Sequence, residues 1–158
     1  MSSELLHTYL HDHHAGAAAG VDLFRRTAEG HAVPEIREQL EWLAAETEED
    51  KRLLEELMAT VDTEASALKD LPARAAQKLA EFKPNQRLQE RSPLSDLLEL
   101  EALTLAVGGK KLGWKSLLAI DDPRLEQATL QKLLDRAEEQ EQKLESLRLI
   151  CTDALKRA

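Results

Sequence analysis

Residues 92–123 read SPLSDLLELEALTLAVGGKKLGWKSLLAIDDP, and this stretch decides the fold. Ser92-Pro93 opens a helix, because proline is favoured at the first helical position, where its missing N–H has no partner to lose. Asp121-Asp122-Pro123 ends that helix and opens the next. Between the two marks leucine and alanine dominate, and no β-branched run interrupts them. At 100° per residue, Leu94, Leu97, Leu98, Glu101, Leu105, Gly108 and Leu112 fall on one face. Leu100, Leu103, Val107, Trp114 and Leu118 fall on a second. A helix with two apolar stripes has to be covered twice.

The same punctuation recurs on either side. Ser2 or Ser3 caps a helix over 3–29, which Gly30-His31 ends, and Pro34 opens a helix over 34–61. The stretch 62–92 contains Pro72 and Pro84 and reads as a connecting lid with a short helix near 73–82. The last helix runs over 123–157. Four long helices, two short connections and one long one predict an all-α chain, a single four-helix-bundle domain over 1–158 with an extra short helical segment between its second and third helices. The connection is long enough for either an up-down-up-down order or a crossover.

Composition agrees and excludes other classes. The chain has 158 residues, 42% of them apolar and 32% charged. Its aromatic residues are Tyr9, Phe24, Trp42, Phe82 and Trp114, too few for a β-sandwich. No uncharged apolar run reaches the ~20 residues of a membrane span, so no membrane partner is expected. A net charge of −9 argues against nucleic-acid backbone binding. The N-terminal stretch lacks the basic region of a signal peptide, and the lone Cys151 suits a reducing compartment, so a cytoplasmic location is expected. Cys151 reads as a packing thiol, with only Arg148 one turn away to activate it.

Ionisable residues interrupt the apolar stripes. His13 interrupts Leu6, Tyr9, Leu10, Ala17 and Phe24; Asp50 interrupts Leu40, Leu43, Leu54 and Met58. Glu101 lies in the first stripe of the third helix. Glu141 and Arg148 break the stripe Leu130, Leu133, Ala137, Leu144 of the fourth. Glu46 flanks the second stripe. A buried carboxylate is costly unless paired or metal-bound. In an up-down-up-down order His13, Asp50 and Glu101 fall within roughly 5 Å of one level, with Glu141 deeper. Carboxylates and an imidazole suit Fe, Mn or Zn, which makes His13, Glu46, Asp50, Glu101 and Glu141 a candidate metal set. The alternative is a metal-free network in which His13 and Arg148 neutralise the acids. His7 and His11, one turn apart, read as solvated residues near the terminus, with surface chelation of a metal as the other reading.

A carboxylate and histidine cluster among four antiparallel helices resembles the ferritin-like superfamily, where two helices each supply Glu and the other two each supply Glu-x-x-His. Here the corresponding i, i+3 pairs are Glu46-x-x-Glu49 and Glu138-x-x-Glu141, without histidine. Asp12-His13-His14-Ala15-Gly16, Ala45-Glu46-Thr47-Glu48-Glu49-Asp50 and Ser92-Pro93-Leu94-Ser95 to Leu98-Glu99-Leu100-Glu101 are similar to an uncharacterised group of bacterial ferritin-like proteins. The resemblance implies the fold, one or two bound metals and, if metal is bound, an oxidase or oxygen-activating role.

Small residues mark one more feature. Ala15–Gly20 in the first helix and Gly108, Gly109 and Gly113 in the third either let the helices approach or leave a pocket beside the charged layer. The second stripe of the third helix is expected either to lie under the lid or to form a homo-oligomer interface through Leu100, Val107 and Trp114. The competing function is then a metal-free helical protein acting by self-association or partner binding.

Overall fold

A computed structural model of the chain describes residues 3–61, 71–81 and 91–156. The described residues are helical, without strands. α1 spans Ser3–Gly30, α2 Pro34–Thr60, α3 Leu71–Glu81, α4 Pro93–Ile120 and α5 Gln127–Cys151, followed by a 3-10 turn over Thr152–Lys156. No helix among the described residues is long and apolar enough to cross a membrane. The expected lid over 62–92 lies outside the described residues except for α3 and residues 91–92.

The ends of the elements follow local chemistry. At the start of α4 the Ser92 N–H donates to Ser95 Oγ at 3.1 Å, so a free amide of the first turn is capped. Asp121 ends the helix in the left-handed region at φ 50°, which aspartate tolerates. Asp122 then accepts the Arg124 backbone N–H at 2.9 Å and its guanidinium at 2.7 Å. That turn delays α5 to Gln127, four residues beyond the expected start.

Contacts between helix ends set the direction of each helix. His7 Nε2 lies 3.1 Å from the Val61 carbonyl, so α1 and α2 are antiparallel. Thr60 donates to the Arg124 carbonyl at 2.7 Å, which brings the end of α2 to the start of α5. At the opposite end Arg91 lies against Gly30, and His31 Nε2 is 3.9 Å from Asp96 Oδ2. α4 therefore begins beside the end of α1 and runs parallel to α2. The order of the long helices is up-down-down-up, and the connection from Val61 to Arg91 joins opposite ends of them. α3, within that connection, packs on α1, and Lys78 pairs with Asp12 at 3.3 Å.

One core joins the four long helices. Leu10 and Phe24 of α1 meet Leu40, Leu43 and Leu54 of α2, Leu100, Leu103 and Val107 of α4, and Leu130, Leu133 and Leu144 of α5. The α2 stripe packs as its periodicity predicts, from Ile36 to Met58. α4 does not. Its buried face is mainly the second stripe, where Leu100 and Leu103 are fully buried, Val107 and Trp114 nearly so and Leu118 half-buried; Leu117, in neither stripe, and Leu97 of the first are buried as well. Those residues pack inside the chain, so an oligomer interface through Leu100, Val107 and Trp114 is corrected by their burial. Leu105 and Leu112, expected inside, face outward at 69% and 63% exposure.

Candidate functional site

Asp50 lies at the centre of the charged layer and is 1% exposed. Lys110 Nζ donates to its Oδ2 at 2.7 Å, and Arg136 forms an ion pair with its Oδ1. The Gln140 amide donates to the same Asp50 Oδ2 at 3.0 Å and to Glu46 Oε2 at 3.2 Å, while its carbonyl accepts from Lys110 at 2.5 Å. Two cations thus face two carboxylates, and one amide bridges them. Burial pulls the Lys110 ammonium below the ordinary lysine range, and Asp50 opposes that shift.

The five expected ligands do not come together. Glu46 and Asp50 share Gln140, and His13 lies on the wall of the cavity that Asp50 also borders. Glu141 pairs instead with Lys111. Glu101, on an exposed flank, lies 3.7 Å from Arg148, which binds Glu145 at 2.7 Å. Among the described residues no three His, Cys, Asp or Glu side chains form a metal-holding group. The donor set does not fit a metal centre, because Lys110, Arg136 and Lys111 occupy the carboxylates on which it would rest. Nor is the layer neutralised by His13 and Arg148; lysine and arginine from α4 and α5 do it for Asp50. The sequence carried a signal for this. Lys110 falls midway in the second stripe of α4, between Leu103 and Val107 on one side and Trp114 and Leu118 on the other, and Arg136 follows Leu133 by three.

Beside the charged layer a cavity of about 180 Å³ lies between α1, α2 and α4. Leu10, Phe24, Leu54, Val107, Trp114 and Leu117 make its apolar wall. Thr47, Asp50 and Lys110 make its polar end, and Lys78 of α3 reaches it from outside. Small residues create it: Gly16, Ala17 and Gly20 on α1, Gly109 and Gly113 on α4. A Cβ built at Gly16, Gly20 or Gly109 would meet no atom within 4 Å. At Gly113 it would come within 2.8 Å of the His13 ring, so that glycine makes room for the imidazole. The pocket reading of the small-residue runs is the one this geometry supports. The His13 ring packs against Tyr9 at a tilt of 58°, with ring centroids 4.5 Å apart. Burial, with Lys78 adding to it, lowers its pKa below 6.5 against the pull of Asp12, so His13 is mostly neutral at pH 7. The Trp114 indole N–H and the Thr47 hydroxyl are buried without a hydrogen-bond partner among the described residues.

Other histidines also depart from expectation. His11 is 8% exposed and His7 half-buried against the Val61 carbonyl, so neither is a solvated terminal residue; His14, 1% exposed, has Nε2 2.8 Å from Glu55 Oε1. His31 was not expected near Cys151, yet its Nε2 lies 3.7 Å from Sγ. The Val33 N–H donates to His31 Nδ1 at 3.2 Å, which leaves Nε2 as the protonated nitrogen of the neutral ring. His31 is then a donor toward Cys151 and Asp96, not a base for the thiol. Burial and Asp96 push the Cys151 thiol above its ordinary range.

No family model, curated protein or solved structure matches the chain.

Proposed function

We propose that this protein is a ferritin-like four-helix bundle whose cavity binds a small, mainly apolar molecule carrying one acceptor oxygen. The observation that carries the reading is the pair Gly16 and Gly20. A glycine inside a helix costs ~1 kcal/mol relative to alanine. Packing does not demand that cost at these two positions, because a Cβ there would touch nothing. What an added side chain would take is the volume of the cavity. A cavity of roughly 150 Å³ with apolar walls is large enough for a benzene ring, and this one holds about 180 Å³.

Lys110 supplies the anchor for the oxygen. Its ammonium has three N–H bonds; Asp50 and Gln140 take two, leaving one for a ligand. Neutral His13 adds a polar group on the same wall. Asp50 and Glu46 already balance Lys110 and Arg136, so the ligand needs no full charge. The single long crossover, with α2 and α4 parallel, is the connectivity of ferritin-like bundles and supports that fold reading. The cation-filled carboxylates favour a ligand cavity over a metal centre.

Ligand-observed NMR with small aromatic and branched aliphatic alcohols, ketones and carboxylates tests the reading. Wild type is expected to bind members of the neutral, oxygen-bearing set, and Gly20→Leu, which fills the cavity, to lose them while keeping its helicity. Binding that survives Gly20→Leu, or none by any class, overturns it. Fe²⁺, Mn²⁺ or Zn²⁺ is expected to leave the melting temperature unchanged, since a ligand of the native state must raise it. Stoichiometric metal with a raised melting temperature would restore the metal reading.

A further inference from the structure

The outward face of α4 is not the face of a solvated helix. Leu94, Leu98, Leu105 and Leu112 follow one another along it, with Ala102, Gly108, Gly109, Ser116 and Ala119 between them. Leu105 is 69% and Leu112 63% exposed, while Leu94 is 42% exposed and Leu98 half-buried. Leucines at seven-residue spacing, alternating with small residues, form a row of knobs beside a shallow groove. α1, α5 and the 3-10 turn pack on α4, and α3 packs on α1, yet Leu105 and Leu112 stay largely exposed among the described residues.

We infer that a second copy of this chain covers it, α4 against α4, antiparallel about a two-fold axis near Gly108–Gly109. Three features point to a second copy rather than to a different partner. A two-fold interface uses the same patch twice, so the patch must complement itself. About an axis between Gly108 and Gly109, Leu105 of one copy meets Leu112 of the other, and Leu98 meets Ala119. The glycines stand where the two backbones come closest, and a Cβ at Gly109 would touch nothing in the free chain. Charge follows the same symmetry. Glu101 is the acid on this face, and Lys115 borders it at the other end, each about seven residues from the axis. Antiparallel pairing sets the Glu101 of each copy beside the Lys115 of the other, whereas parallel pairing would set like charges together. Leu105 and Gly109 also line the cavity, so the second copy borders its rim.

Sedimentation equilibrium of the full, untagged chain tests this over a concentration series. The expected result is a monomer–dimer equilibrium. Leu105→Glu and Leu112→Glu replace exposed side chains, so they keep the helicity and weaken the dimer by about tenfold or more. Glu101→Lys weakens it as well, and adding Lys115→Glu in the same chain restores it. A monomer at every concentration overturns the inference and leaves the face to another partner. A dimer that both leucine variants leave intact, or a charge reversal without rescue, overturns it too.

Discussion

Lys110 Nζ lies 2.7 Å from Asp50 Oδ2, although sixty positions separate the two residues in the chain. The contact exists because α2 and α4 run parallel. Asp50 and Lys110 are each about 16 or 17 residues from the same end of the helices, so they arrive at one level. Arg136 and Gln140 reach that level from α5. The result is a buried pair of carboxylates and cations at the polar end of a cavity.

Asp50 and Lys110 are expected to be coupled in their effect on stability. Lys110→Met leaves Asp50 with Arg136 as its cation and the Gln140 amide as a donor, and destabilises by about 3 kcal/mol, the low end for breaking a buried ion pair. Asp50→Asn combined with Lys110→Met costs less than the sum of the single changes, because the two residues are in contact and their shared interaction is lost only once. Urea unfolding of the four proteins measures both the cost and the coupling. Additive costs would show that the contact carries no net energy.

The same substitution is expected to act in opposite directions at two glycines that line the cavity. Gly20→Ala meets open space and gains helix propensity, so it stabilises by ~1 kcal/mol. Gly113→Ala places a methyl 2.8 Å from the His13 ring. Pushing the imidazole aside destabilises by about 1–3 kcal/mol before any gain in propensity. Chemical denaturation gives both signs, and the combination Gly113→Ala with His13→Ala recovers most of the loss.

Acid is expected to weaken the fold partly through His13. Its folded pKa lies below the ordinary 6.5, so between the two values the unfolded chain binds the extra proton. Stability from this source is complete above pH 6.5 and is lost as the pH falls through the folded value. His13→Gln therefore shows a shallower decline below pH 6.5 than wild type. Parallel stability–pH curves for the two proteins would refute the assignment.

Cys151 is expected to react slowly with alkylating reagents at neutral pH. Burial and the nearby Asp96 hold its thiol above the ordinary 9.0, which lowers the thiolate fraction. Asp96→Asn removes the negative charge and speeds iodoacetamide alkylation several-fold. The rate of wild type and variant as a function of pH checks both the direction and the cause.

Helix boundaries were legible because their signals are local. Pro34 and Ser92-Pro93 opened α2 and α4 at the positions where those helices begin. Gly30 closed α1 within one residue of its observed end. α2 also showed its inner face correctly, Asp50 included, because its opposite face is strongly charged and only one rotation buries leucine. α5 showed less. Gln140, not Glu141, took the inner position, since the polar residues around 138–142 let either phase satisfy the pattern.

α4 was the limit. Both of its faces are apolar, so periodicity alone could not say which one turns inward. Glu101 and Lys110 are nine residues apart, on opposite faces and about 14 Å apart along the axis. Choosing one stripe puts an acid in the core, and choosing the other puts a lysine there. The sequence by itself determined four long helices, the starts of α2 and α4, the end of α1, and a buried acid at Asp50. The tertiary structure decided the direction and rotation of α4, and with them the partners of Asp50, the cavity and the exposed leucine row. Those choices depend on which faces of α1 and α5 meet α4, and no local pattern records a contact between residues so far apart in the chain.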